Sequence, residues 1–279
     1  MRFDEFQEFR QRQLSARSSL LDAAETNVYR ALASTRPEPP TGMSTVHRCD
    51  LARAWLRRFE LPEEWSGHAM VSRGVRHGLG VVFHWLRAVR ARLWLPSDVY
   101  PVYFELAHAA GLAPASYPTL PAPALPRSPP DHRPEYLLLH SVTKGWLWPR
   151  TFGVVLLGPA QADVAEAFRV DPPTSAQLRL ADRLLTEHSD VPRQVVDELA
   201  VRAERLFERL PDEVLGAIPT ASRTCPGNYF FPVGIPAETL QRECGVLAMP
   251  VSVFGESSWS GSILTSLADA FGPTPTVAR

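Results

Sequence analysis

The stretch HSVTKGWLWPR, residues 140–150, holds the only lysine of a chain that otherwise carries its side-chain positive charge on arginine. Arginine stays protonated, whereas a partly buried lysine can lose its proton and act as a nucleophile or base. Lys144 is therefore the first candidate for chemistry. His140, four residues earlier, is a candidate acid or base, with a satisfied strand histidine as the competing reading. Other chemistries find no footing in the sequence. GESSWSG lacks the spacing of a nucleophile elbow, and neither a phosphate-binding Walker loop nor a dinucleotide fingerprint occurs. The eight histidines show no metal-ligand spacing, and Cys49, Cys225 and Cys244 form no CxxC pair, so no metal is expected. The cysteines read as small buried hydrophobes.

These residues need elements to hold them. At 279 residues, 45% hydrophobic and 21% charged, the chain can bury a sizeable core. A formal net charge of −1 provides no basic field for nucleic acid or an anionic membrane, and no apolar run is long enough to span a bilayer. The charged N-terminus, MRFDEFQEFRQRQ, reads as an amphipathic helix and not a signal peptide, which points to the cytoplasm. Residues 3 to about 33 read as one or two helices, with Phe3, Phe6, Phe9 and Leu14 on one face, and Asp50–Phe59 as another. From residue 69 the punctuation is strand, turn at Ser72–Gly74, helix from about 75 to 90, strand RLWLP, helix from about 100 to 110. Ala113–Pro134 is too proline-rich for a central strand or regular helix. EYLLLHSV and TFGVVLLG read as strands. TSAQLRLADRLLTEH and VPRQVVDELAVRAERLFERLP read as helices, and the tail as short strands and helices of an α+β unit. The predicted class is α/β.

Three blocks, in order, resemble the fold-type I, pyridoxal-phosphate-dependent aminotransferase family. PSDVYPVYFELAHAAG is similar to the family's Pro–x–Tyr–x–x–Tyr run, and HSVTKGWLWPRTFG to its Ser–x–Ser/Thr–Lys segment. GNYFFPVGIP…CGVLAMPVSVFG resembles the C-terminal pattern that closes on FG. The resemblance implies a reduced three-layer aminotransferase-like domain with a small C-terminal α+β domain. Its divisions would be an N-terminal helical arm over 1–45, a large domain over 46–160, and a connecting helix with the small domain over 161–279. It also implies roles. The backbone amides of Ser72, Arg73, Gly74 and Arg76, with the Arg76 guanidinium and the helix dipole, would cradle a phosphate-like dianion. Ser141 and Thr143 would donate to the same anion, and Arg150 would lie nearby. Tyr100 would stack on a cofactor ring, and Lys144 would form the Schiff base.

Three departures limit that inheritance. The family places an asparagine and an aspartate on strands between the stacking aromatic and the lysine, and the aspartate makes the ring an electron sink. Here the interval is a proline-rich stretch plus one strand, and the one acid of the proline-rich stretch, Asp131, lies too close to the lysine. The place of the arginine that grips a substrate carboxylate falls at Leu264 or a neighbour. The family's Pro–Gly–Leu–Arg–x–Gly appears as PRTFG, displacing Arg150. Transamination is therefore not the expected reaction. The reading is a cofactor-independent enzyme acting on an amine or amino-acid-like small molecule that bears phosphate or sulfate. Intramolecular amine displacement closing a small nitrogen ring is a reaction of that type. The alternatives are a genuine pyridoxal-phosphate enzyme and a non-catalytic partner subunit. Shortening the sheet leaves edges to cover, so a homodimer or heterodimer that completes the site is expected. The arginine-, alanine- and proline-rich composition points to a high-GC bacterial gene, and together with the departures from the family that the chain resembles it implies natural-product biosynthesis.

Overall fold

The computed structural model describes residues 2–38, 47–58, 60–61, 69–96, 102–117, 138–141, 144–148, 153–157, 162–254 and 260–272. In chain order, helix α1 (Phe3–Ala16) leads to strand β1 (Leu21–Asp22), the single helical turn α2 (Val28–Ala31) and a 3-10 turn at Ala33–Thr35. Next come α3 (Arg48–Arg58), β2 (Ala69–Ser72), α4 (Val75–Ala88), β3 (Trp94–Pro96), α5 (Val102–Ala109), β4 (Ala115–Tyr117), β5 (Leu138–Ser141) and β6 (Gly153–Leu156). The second half runs α6 (Ala162–Val170), α7 (Ser175–Thr186), α8 (Val191–Phe207), α9 (Asp212–Ala217), α10 (Thr220–Thr224) and β7 (Phe230–Val233). It closes with α11 (Ala237–Cys244), β8 (Val246–Leu247), β9 (Met249–Pro250) and β10 (Ser262–Thr265).

Strands β2, β6 and β5 form a sheet in that order, with β6 antiparallel to both neighbours. Every residue of β6, Gly153-Val-Val-Leu156, is buried. An unbroken apolar run is what a strand covered on both faces requires. The faces separate by the two-residue period of a strand. Ala69, Val71, Val154 and Leu156 pack with α3, α7 and α8, whereas Met70, Leu139 and Val155 pack with Val82 of α4 and with Val164 and Phe168 of α6. Helices thus cover both faces, giving the α/β three-layer arrangement.

Strands β3 and β4 pair in parallel, and Leu95 of β3 packs with α4 and α5 in a separate apolar cluster. Ala113–Pro134, read as too proline-rich for a central strand, carries the short β4, whose one neighbour among the described residues is β3. Ala115–Tyr117 is a proline-free triplet between Pro114 and Pro118, long enough for three pairings at the edge of β3.

The C-terminal part carries the antiparallel sheet β7–β10–β9. Its core includes Phe231, Val233, Leu240, Leu264 and Phe271. The N-terminal segment also departs from the helical reading. β1 interrupts it and pairs in parallel with β8, while Phe6 of α1 packs with Leu247, Met249 and Val253. Leu21 and Asp22 are followed by Ala23 and Ala24, both fully buried, whose close approach an extended backbone allows. Helix α8 joins the two regions: Val191, Val195 and Leu199 belong to the large core, and Ala203 and Leu206 to the small one. Among the described residues no helix is long and apolar enough to cross a membrane.

Candidate functional site

The turn between β2 and α4 is held by its own side chains. The Ser72 hydroxyl is fully buried and donates to the Gly74 carbonyl at 3.2 Å. The Arg73 amide donates to His77 Nδ1 at 3.1 Å, so the neutral ring carries its proton on Nε2, 3.2 Å from Asp171 Oδ2. Arg73 also pairs with Asp171. Burial, and then the Arg73 charge, push the His77 pKa below its ordinary value, against the pull of Asp171. The Ser72 hydroxyl and the Arg73 amide are thus spent on the turn itself. Gly74 has φ 109°, in the region that favours glycine, and a methyl built there would meet nothing within 4 Å. Helix α4 begins at this open position with no side-chain cap. The amides of its first turn and the exposed Arg76 therefore lie beside the open space at Gly74.

The Lys144 turn emerges at the same end of the sheet. Ser72 and Ser141 both stand opposite Gly153, one from each side. β2 and β5 therefore end together, separated by two strand spacings, roughly 10 Å. Carboxyl ends of strands are where open α/β sheets bind ligands. Two side chains anchor the turn Lys144–Leu147. Trp146 is buried and donates its indole N–H to the His188 carbonyl at 2.8 Å, and Leu147, at φ 58°, is fully buried. Lys144 itself is exposed, and its Nζ donates to the Tyr229 hydroxyl at 3.0 Å, lying 5.7 Å from the ring centroid. Tyr29 of α2 and Tyr229 pack on the same core cluster. Burial raises the Tyr29 phenol pKa, the neighbouring Tyr229 raises it further, and Arg76 pulls it down. Tyr29 thus senses both Tyr229 and Arg76, and stays a protonated donor.

Of the other residues singled out from sequence, His140 and Ser141 occupy the last two positions of β5, opposite Val154 and Gly153. Tyr100, Asp131, Thr143 and Arg150 lie outside the described residues. Leu264 is fully buried in β10, opposite Phe231, so this position presents no polar group to a ligand. Cys225 is exposed, which corrects its reading as a buried hydrophobe, and Cys244 is half-buried. The sequence reading passed over Tyr29 and Tyr229. Tyr229 stood inside a quoted motif as a pattern letter, and Tyr29 had no local signal, since both gain their place only through tertiary contacts.

This architecture is the fold of the fold-type I aminotransferases. An Escherichia coli protein described as having a methionine aminotransferase function, YbdL, aligns at TM-score 0.61 and 14% identity, over 97% of this chain and 95% of its own. A Mycobacterium tuberculosis aminotransferase aligns at TM-score 0.61 and 12% identity, over 95% and 92% respectively. One from Silicibacter pomeroyi aligns at TM-score 0.60 and 15% identity, over 95% and 91%. No protein-family model matches the sequence, and no curated protein matches it significantly. At these identities the likeness is one of fold.

That fold implies pyridoxal phosphate, and the residues here fit it in part. The open position at Gly74, the uncapped start of α4 and the Lys144 amine match what a phosphate and an aldehyde need. The electron-sink function has no acid at the family's spacing: Asp131 and Glu135, the carboxylates between β4 and β5 in sequence, lie outside the described residues and stand too close to Lys144 in the chain. Without an acid at the ring nitrogen the cofactor loses its carbanion-stabilising role.

Proposed function

We propose that this chain is an enzyme built on an aminotransferase-type scaffold that works without pyridoxal phosphate. Its substrate is an amine or amino-acid-like molecule that carries a sulfate or phosphate ester. One observation carries the reading: the Lys144 amine is 3.0 Å from the Tyr229 hydroxyl, with Tyr29 and the field of Arg76 alongside. A primary amine, a guanidinium and two phenols form a set of hydrogen-bond donors suited to an oxyanion. The reaction that follows is intramolecular displacement. The substrate amine attacks the carbon bearing the ester oxygen, the carbon–oxygen bond breaks, and sulfate or phosphate departs with the bonding pair towards Arg76 and the start of α4. The proton released from the new ring nitrogen passes to solvent, while Lys144 keeps its role as a donor. The protein contributes orientation and stabilisation of the departing charge.

Because Lys144 is the only lysine, amine acylation read by mass spectrometry reports on this site alone. Millimolar sulfate or phosphate is expected to protect Lys144 from acylation, and Arg76→Ala to weaken that protection about tenfold. Absence of protection, or protection indifferent to Arg76→Ala, overturns the reading. Added pyridoxal phosphate is expected to give no absorbance band that borohydride fixes on Lys144. Such a band, lost in Lys144→Ala, establishes the cofactor-dependent alternative.

A partner subunit is favoured by a separate observation. Among the described residues β3 and β5 each have one sheet neighbour, and Trp94 on β3 is 58% exposed. Sheet edges and large apolar groups of this kind call for a cover, which a second copy or a different chain completing the site would provide.

A further inference from the structure

We infer that Tyr229 is the positioning residue of the Lys144 amine, and that through it the C-terminal part of the chain controls how that amine is presented. The inference rests on the reading of Lys144 as the working amine of the site. Lys144 and Tyr229 are 85 residues apart, one in the turn after β5 and the other immediately before β7, so only the tertiary fold brings them together. Each is anchored behind the contact. Trp146 and Leu147 bury the base of the lysine turn. The Tyr229 ring packs against Phe230 with centroids 4.6 Å apart, and its carbonyl accepts from the Ser266 amide at 3.4 Å.

What remains mobile is the four-carbon lysine stem, which carries on the order of 2 kcal/mol of rotamer entropy. The Tyr229 hydroxyl, at 3.0 Å, selects from those rotamers the one that turns Nζ towards the phenol side. A hydroxyl that accepts from one partner keeps its own proton for another. Tyr229 therefore fixes the amine and still offers an O–H donor, next to the Tyr29 phenol, which burial and Tyr229 keep protonated. Leu264, by contrast, lies fully buried in the core of the same region. The C-terminal part reaches the amine with a neutral phenol and leaves the cationic contacts to Lys144 and Arg76.

The test uses the full chain with no lysine in any tag, acylation of Lys144 read by mass spectrometry, and the α-amine as internal reference. Tyr229→Phe keeps the ring and is expected to keep the wild-type circular dichroism. Its Lys144 acylation, followed from about pH 6 to about pH 10, is expected to depart from the wild-type profile. At neutral pH it should be about threefold faster, because the amine is no longer held against the phenol and is free to meet the reagent. Superimposable profiles overturn the inference. Phosphate protection in the wild type is scored separately, so failure of the oxyanion reading and failure of the positioning role give different results. Should Tyr229→Phe not fold, wild-type protein labelled with 15N at lysine Nζ gives a single side-chain signal. A nuclear Overhauser contact from the neighbouring lysine methylene to the Tyr229 ring is expected, and its absence overturns the inference.

Discussion

His77 is a small switch beside the candidate site. It ties the Arg73 amide to Asp171, and with its side chain 14% exposed it stays neutral more readily than a free histidine. Burial, then Arg73, lower its pKa from 6.5 in the folded chain, so on acidification the unfolded chain takes up a proton first. The stability contributed by the neutral ring is complete above about pH 6.5 and is lost as pH falls through the lower folded value. The melting temperature should therefore drop between neutral pH and about pH 5. His77→Asn retains an acceptor for the Arg73 amide but cannot titrate, and should show a shallower drop. Equal pH dependence in the two proteins would remove His77 from this role.

At the scale of elements, the candidate site depends on how closely α4 lies on the sheet. Gly78 permits that approach: a methyl there would stand 2.5 Å from Leu139 Cδ2 and 3.5 Å from Val155 Cγ2. Gly78→Ala forces Leu139 to move or α4 to lift, and a lift shifts the start of α4 relative to the end of β5. Overpacking of this kind costs about 1 to 2 kcal/mol, partly offset by the better helix propensity of alanine. Chemical denaturation should show the loss, and Lys144 acylation should lose its protection by phosphate. Retention of both would mean that Leu139 yields without moving the helix.

Across the whole molecule, the N-terminal segment is bound to the C-terminal part by more than apolar contact. The Arg10 guanidinium, 5% exposed, pairs with Asp22 and, at 3.1 Å, with Glu25. Glu25 Oε1 also accepts from the Thr26 and Asn27 amides, both at 2.8 Å, and the Glu25 carbonyl accepts from Thr265 Oγ1. This network fixes the residues leading into α2, and so Tyr29. Arg10→Ala removes the cation between the half-buried Asp22 and the buried Glu25, leaving Glu25 only the 3.9 Å contact with the exposed Arg30, a loss of about 3 kcal/mol. Denaturation midpoints and limited proteolysis near β1 check it. A variant as stable and as resistant as the wild type would show that the segment is held by its apolar face alone.

The local patterns were legible residue by residue. The period of Val195, Leu199 and Leu206 marks a helix, the apolar run Gly153–Leu156 marks a strand, and the single lysine marks the candidate amine. Such signals are local because backbone period and side-chain ionisation are properties of short segments. The short strands β1 and β4 escaped notice, since two or three residues carry no period and are made strands only by β8 and β3. Tyr29 and Tyr229 escaped for the same reason at the site. A phenol's chemistry depends on what stands within hydrogen-bonding reach, and for these two that is decided by chain segments far apart in sequence. The sequence by itself determined which groups are available and where helices and buried strands run. Only the tertiary structure decided which of those groups meet, because the contacts that orient them close over long separations and are made by packing rather than by neighbouring residues.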